Sequence, residues 1–297
     1  MHKSGFVNII GRPNVGKSTL TNALVGERMS IITNKPQTTR HRIIGIVNSD
    51  DYQIILSDTP GIVEDPSYQM HHAMNRFVQS TFEDGDLMLL VTEVHEKYDP
   101  DDATIEKLKN VKAPVFLIIN KIDQASPEEI LKLIEDWKDR IDFTEIFPIS
   151  ALHHTNTERL LEHIVKYLPE GPVYYPKDQF TDRPERFFTT EIIREKILEQ
   201  YEQEIPYSVE VAIESFEDST TNSGEDLARI RALIYVMRRS QKAIIIGKRG
   251  DAIKKLGIEA RKALETFLER KVFLELYVKV KENWRDDDRS LQSFGYQ

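Results

Sequence analysis

The chain contains no cysteine among its 297 residues. That excludes disulfides, thiolate nucleophiles and cysteine-ligated zinc, and it suits a reducing compartment. No window holds eighteen uninterrupted apolar residues, so no segment reads as a helix that crosses a bilayer. Met1-His2-Lys3-Ser4 runs at once into an apolar stretch, leaving no room for a secretory leader, and a cytoplasmic protein is the expectation. Positive charge is in deficit: 40 Lys and Arg against 49 Asp and Glu give a formal net charge of -9, which argues against wholesale coating of nucleic acid. What is present is ordinary for a globular chain, with 40% hydrophobic and 30% charged residues. The length is comfortable for two domains, each with its own core.

Gly11-Arg12-Pro13-Asn14-Val15-Gly16-Lys17-Ser18 fits G-x-x-x-x-G-K-[ST], the phosphate-cradling P-loop. Residues 6–10 run apolar and β-prone into Gly11, and residues 19–25 read as the start of a helix, which is the setting the loop needs. A glycine turn that binds nothing is therefore the weaker reading. The glycines let backbone N–H groups curl around a β-phosphate, Lys17 brings positive charge to the β- and γ-phosphates, and the Ser18 hydroxyl is placed for Mg2+. Gly11, Asn14, Val15, Gly16, Lys17, Ser18 and Thr19 are the candidate phosphate-binding residues.

Residues 29–40 are polar and broken by Pro36, hence a loop, and residues 43–47 and 53–57 read as two strands. The second ends on Asp58-Thr59-Pro60-Gly61. There, a carboxylate can hold Mg2+ through its water shell and the Gly61 N–H can touch a γ-phosphate. Residues 62–82 read as a surface helix; His71 and His72, being adjacent, face different sides and make a poor metal pair. Residues 87–91 and 114–119 are continuous apolar strands of the kind found in a parallel sheet covered on both faces, with a helix over 103–111 between them. The alternation predicts an α/β fold. Asn120-Lys121-Ile122-Asp123 follows the second strand. An Asp held there accepts two hydrogen bonds from guanine N1–H and N2–H2, for which adenine has no matching donors. Asn120 and the Lys121 stem brace the loop, and backbone N–H groups at Ser150-Ala151-Leu152 can meet the guanine O6. Guanine specificity is the strongest inference, and Asp123 disfavours a P-loop kinase or ATPase.

Thr155 to Glu158 reads as a capping box opening a helix with Leu160, Leu161, Ile164, Val165 and Leu168 inward. Residues 1–170 then form the nucleotide-binding domain, and 171–184, dense in proline and aromatics, a semi-rigid connector. In the second domain, 185–282, a helix over 187–201 and strands over 208–214 and 228–237 precede Gly247-Lys248-Arg249-Gly250, a G-x-x-G turn before a further helix; 272–280 is the last strand. That arrangement is the KH module, α+β and of type II, in which the turn lets single-stranded RNA approach a helix start. Between 241 and 262, Lys242, Lys248, Arg249, Lys254, Lys255, Arg261 and Lys262 face only Asp251 and Glu259. Gly247, Lys248, Arg249, Gly250, Lys254 and Lys242 are the candidate RNA-binding residues. Residues 283–297 read as a loose polar tail.

Taken together the chain resembles the Era-type GTPases over nearly its whole length. The resemblance rests on Gly11 to Ser18, Gln37-Thr38-Thr39-Arg40-His41, Asp58 to Gly61, Asn120 to Asp123 and Ser150-Ala151. In the second half it rests on Glu191-Ile192-Ile193-Arg194-Glu195-Lys196-Ile197, Glu204-Ile205-Pro206-Tyr207-Ser208, Ser240-Gln241-Lys242 and Ile245 to Gly250. The second set makes the match specific. It implies a GTP-dependent factor in 30S ribosomal subunit assembly, with a KH domain that binds near the 3′ end of 16S ribosomal RNA and peripheral association with the inner membrane. A monomer is the expected state. The resemblance makes Thr39 the second Mg2+ ligand beside Ser18 and Asp58, with Thr38 the fallback. Lys17, Asn14, Thr39 and Gly61 are the expected catalytic set. Ile62 stands where many GTPases carry a water-orienting Gln, so slow intrinsic turnover is expected, and Asn14 is expected to recruit K+. Thr92-Glu93 and Val236-Met237-Arg238 depart from the pattern. The competing reading is an RNA-binding scaffold in which GTP is only structural.

Overall fold

A strand apolar from Leu87 to Val91 is stable in water only if both of its faces are covered. In the computed structural model, which describes residues 1–63, 65–99 and 102–296, that condition is met. The chain divides into two compact units, Met1–Asp65 with His72–Asp182, and Pro66–His71 with Arg183–Gln297.

The first unit runs β1 (Lys3–Ile10), α1 (Lys17–Val25), β2 (Ile43–Asn48), β3 (Tyr52–Asp58), the part of α2 (Gln69–Thr81) from His72 onward, and β4 (Leu87–Glu93). It continues through α3 (Ala103–Leu108), β5 (Val115–Asn120), α4 (Pro127–Lys138), β6 (Glu145–Pro148) and α5 (Thr157–Tyr167). The six strands lie in the order β2-β3-β1-β4-β5-β6, parallel except for β2, which is antiparallel to β3. The pleat sends alternate residues of each central strand to opposite cores. Leu87, Leu89, Val91, Phe116 and Ile118 meet α1 and α5, whereas Met88, Leu90, Leu117 and Ile119 meet the other side with Val78, Ile105 and Trp137. The continuous apolar strands are thereby accounted for. The connector, to Asp182, is bound along the edge strand β2, where Ile46 N–H donates to Phe180 O (2.8 Å), and at the start of β3, where Gln53 Oε1 accepts from Tyr174 N (2.7 Å) and Tyr175 N (2.9 Å). An otherwise open sheet edge is thus covered.

The second unit contains α6 (Glu185–Gln200), α7 (Ile205–Ser208), β7 (Glu210–Thr220), β8 (Asp226–Val236), α8 (Arg239–Ile246), α9 (Asp251–Leu268), β9 (Lys271–Val280) and α10 (Asp288–Ser293). β8 pairs antiparallel with β7 and parallel with β9. Ala228, Ile230, Ala232, Ile234 and Val236, every second residue of β8, pack with α6 and α9 through Ile193, Ile197, Leu256, Ala260 and Leu264.

Several expectations change. Among the described residues of 62–82, only Gln69–Thr81 are helical: Asn75 holds Val63 in place before the helix, donating to Val63 O (2.9 Å) and accepting from Val63 N (3.0 Å). His71 is buried and accepts from Ser67 N (3.2 Å), while His72 is exposed, as adjacent helical positions require. The capping box at Thr155 does not form. Thr155 and Ser150 exchange backbone hydrogen bonds (3.0 and 3.2 Å), which draws Thr155 away, and Asn156 in the left-handed region (φ 61°) starts α5 instead. A capping box does open α4, where Ser126 and Glu129 bond each other's backbone N–H groups and Pro127 sits first in the helix.

The tail from 283 is not loose. Trp284 is fully buried, with Nε1 donating to Ser208 O (3.2 Å), and Phe294 packs on Trp284 (5.7 Å) and Tyr235 (5.3 Å). Tyr296 OH donates to Glu210 Oε2 (2.7 Å). Buried or packed side chains scattered among acidic and polar positions leave no periodic stripe to read, so their burial is decided by where β7 and β8 lie. Trp284→Ala is expected to destabilise the second unit by about 3–5 kcal/mol, measured by urea unfolding followed by circular dichroism.

Candidate functional site

The functional loops of the first unit gather at one edge of its sheet because four parallel strands, β1, β3, β4 and β5, all point there. A cleft of about 470 Å³ opens at that edge, and Asn14, Gly16, Lys17, Ser18, Thr19, Thr39, Gly61, Asn120, Lys121, Asp123 and Ser150 line it. The remaining predicted nucleotide residues, Gly11, Val15, Asp58 and Ala151, lie behind this lining and hold it.

Lys17 is buried, and its ammonium donates to Gly11 O (2.9 Å) and Arg12 O (2.8 Å). Burial lowers its pKa to about 8, against the pull of Asp58. Gly16 (φ 98°) must be glycine twice over: its conformation is left-handed, and a Cβ would stand 2.1 Å from Asn120 Nδ2. That same Nδ2 donates to Val15 O (2.9 Å), and Asn120 Oδ1 accepts from Ala151 N (3.0 Å). One carboxamide therefore joins the phosphate loop, the end of β5 and the loop after β6. The Ala151 N–H is occupied by this bond rather than turned toward the cleft. The Asp123 carboxylate is oriented by Ser150, whose hydroxyl donates to Oδ1 at 2.5 Å and holds the Asp123 carboxyl below the usual carboxylate range.

At the phosphate end, Asp58 Oδ2 accepts from Ser18 Oγ (2.7 Å) and Ser30 Oγ (2.7 Å), and Ser18 Oγ lies 2.9 Å from Thr39 Oγ1. Burial pushes the Asp58 carboxyl above its ordinary pKa, and its Oδ1 is buried with no hydrogen-bond partner among the described residues. A buried carboxylate with one unpartnered oxygen, beside two hydroxyls, is an all-oxygen donor set of the type that suits a hard divalent cation. The Thr38 hydroxyl is taken up elsewhere, on Lys35 O (2.6 Å) and Thr33 Oγ1 (2.7 Å). The hydroxyl that lies beside Ser18 is therefore that of Thr39. Gly61 sits against Pro13, where a Cβ would meet backbone N at 2.8 Å and Cα at 2.9 Å. Ile62 is outside the cleft lining and packs with the core that includes Val78 and Leu90. Asn14 adopts the left-handed region (φ 65°) and donates from Nδ2 to Asn34 O (3.1 Å).

In the second unit the apolar run before the G-x-x-G turn is helical, forming the end of α8. Gly247 (φ 74°) and Gly250 (φ 85°) bracket exposed Lys248 and Arg249; a Cβ on Gly247 would stand 2.5 Å from Ala252 Cβ. Arg249 itself is left-handed (φ 55°). No side chain among the described residues caps the start of α9, so the first-turn N–H groups of an eighteen-residue helix lie beside the two basic residues, an arrangement suited to phosphate. Lys254 is exposed on α9 and Lys242 half-buried on α8.

Residues 6–121 match the family described as 50S ribosome-binding GTPase, and residues 204–285 match the KH domain. Over 297 residues the chain is 48% identical to GTPase Era of Syntrophus aciditrophicus (strain SB), covering 100% of this chain and 96% of that protein. The chain belongs to the Era family of GTPases. Two solved Era structures superpose over almost every residue. An Aquifex aeolicus Era variant bound to GDP and AlF4- has 40% identity and a TM-score of 0.92, with 99% of each chain covered. An Era complex with MgGDPNP and nucleotides 1506–1542 of 16S ribosomal RNA has 40% identity and a TM-score of 0.93, covering 100% of this chain and 99% of that one.

Two residues of this Era-family site carry no sequence signal. Ser30 reaches Asp58 only because Asn22, on α1, fixes its backbone: Asn22 Oδ1 accepts from Met29 N (2.8 Å) and Ser30 N (2.9 Å), and Nδ2 donates to Ser30 O (2.8 Å). A serine and an asparagine in polar surroundings look like any loop. For the central carboxamide, Asn120→Ala is expected to lower the stability of the first unit by about 1–3 kcal/mol, read by chemical unfolding, and to weaken GDP binding, read by fluorescent-nucleotide titration.

Proposed function

We propose that the chain is a GTP-hydrolysing switch that binds the 3′ region of 16S ribosomal RNA through its KH turn and acts in assembly of the 30S subunit. The observation that carries this reading is one chain holding both an Asp123 carboxylate aimed beside a phosphate loop and an exposed Lys248-Arg249 turn between positive-φ glycines. The Era complex with a GTP analogue and 16S ribosomal RNA supports carrying both ligands over. Asp123 accepts guanine N1–H and N2–H2, and Lys17 meets the β- and γ-phosphates. Ser18, Thr39 and Asp58 would hold Mg2+, which when bound neutralises phosphate charge. Gly61 N–H faces the γ-phosphate, and no side chain at Ile62 orients a water, so intrinsic turnover is slow. Asn14, held at the mouth of the loop, is assigned to K+. We place the protein in the cytoplasm as a monomer, with peripheral contact to the inner membrane; no helix among the described residues is long and apolar enough to cross a membrane.

The missing water-orienting group at Ile62 favours one other reading, an RNA-binding scaffold with structural GTP. Single-turnover phosphate release with and without the RNA separates them. A scaffold neither hydrolyses GTP nor changes its RNA affinity between GDP and a non-hydrolysable analogue.

Reversing both charges, Lys248→Asp with Arg249→Asp, is expected to weaken RNA binding on the order of 100-fold in filter binding while GDP affinity stays unchanged; retained RNA affinity moves the site elsewhere. Turnover in K+ is expected to exceed that in equal Na+ by at least about tenfold, and Asn14→Ala to remove the difference. Equal rates in the two salts remove K+ from the account.

A further inference from the structure

Arg12 lies in the phosphate loop, yet it is absent from the lining of the nucleotide cleft. Its guanidinium reaches the segment after β4: Nη1 donates to Glu96 Oε1 (3.0 Å) and Lys97 O (2.8 Å), and Nη2 to Asp102 Oδ2 (2.9 Å). The guanidinium also lies over the Tyr98 ring, 4.5 Å from its centroid. Asp102 and Tyr98 are themselves fixed. Asp102 Oδ1 caps α3 at Thr104 N (2.8 Å) and Ile105 N (3.3 Å). Tyr98 stacks edge-on against Trp137 of α4 (5.1 Å), and its carbonyl accepts from Arg140 Nη1 (2.9 Å).

The backbone of the same residue meets the reacting groups. Arg12 O is one of the two carbonyls that hold the Lys17 ammonium, and the following Pro13 is the surface against which Gly61 is seated. We propose that Arg12 is a positioning residue for GTP hydrolysis, a strut from α3 and α4 that sets where Lys17 and Gly61 stand. The role rests on the cleft being a GTP-hydrolysing site. A planar fork with several donors suits such a strut because it fixes direction as well as distance, which a lysine ammonium would not. The expected signature is a loss in the rate constant that exceeds any loss in binding, because a displaced charge costs most where charge develops.

The test uses the full chain with Mg2+ and GTP, comparing Arg12→Gln, Asp102→Asn and the double variant with the wild type. Asparagine caps a helix about as well as aspartate, so Asp102→Asn weakens the strut and spares α3. Each single variant is expected to slow single-turnover hydrolysis about tenfold and shift the GDP Kd less than about threefold, with the double variant no slower than the slower single. Three results overturn the role: unchanged rates, losses that multiply in the double variant, or a GDP affinity loss as large as the rate loss. A wild type that does not hydrolyse GTP overturns the functional reading and the strut with it. A hydrolysing wild type with unaffected variants overturns the strut alone.

Discussion

The Asn120 carboxamide is the interaction on which the nucleotide cleft depends. It donates to Val15 O and accepts from Ala151 N, so three loops that are distant in the chain share one planar group. Both bonds are buried, where an unmade hydrogen bond leaves a group without water to replace its partner. The planarity matters as much as the energy. Moving the phosphate loop moves the Ser150-Ala151 turn, and Ser150 in turn holds Asp123. The phosphate loop and the Asp123 loop are therefore tied into one hydrogen-bonded arrangement, and Gly16 is forced to be glycine by the carboxamide packed against it.

At the far end of the cleft the governing constraint is electrostatic. Asp58 is buried with one oxygen satisfied by two serine hydroxyls and the other unsatisfied among the described residues, an arrangement that costs free energy. Lys17 is buried nearby, with its ammonium on two backbone carbonyls and its pKa drawn down. The pocket thus sets oxygen donors and a buried positive charge side by side. Gly61, against Pro13, and Ile62, turned into the core, border this charged pocket without adding a general base to it. The G-x-x-G turn works on a different principle. There two positive-φ glycines shape the backbone, and exposed lysine and arginine supply the charge.

Much of this was legible from residue order. The P-loop, D-x-x-G, N-K-x-D and G-x-x-G motifs each demand particular residue types for stereochemical reasons, and each sits where an apolar or helical run ends. Elements whose signal is tertiary were not legible. The tail residues Trp284, Leu291 and Tyr296 are buried because the sheet of the second unit offers them a surface, and nothing in their spacing announces it. Thr155 has capping chemistry, but a backbone exchange with Ser150 competes successfully. α4 differs from these: its start at Ser126-Pro127-Glu128-Glu129 and its apolar stripe through Leu133, Ile134 and Trp137, which packs on the core, are both local signals.

The sequence by itself determined the motifs: a P-loop, an N-K-x-D segment and a basic G-x-x-G turn, because each is a short-range pattern carried by residue type and spacing. It also determined the α/β alternation, since strands apolar on both faces require covering helices. Only the tertiary structure set the Thr39 hydroxyl rather than that of Thr38 beside Ser18, brought Ser30 to Asp58, gave Arg12 its partners beyond β4 and buried the tail. Those outcomes depend on distances between segments far apart in the chain, and such distances are set by packing against a shared sheet, which no local pattern encodes.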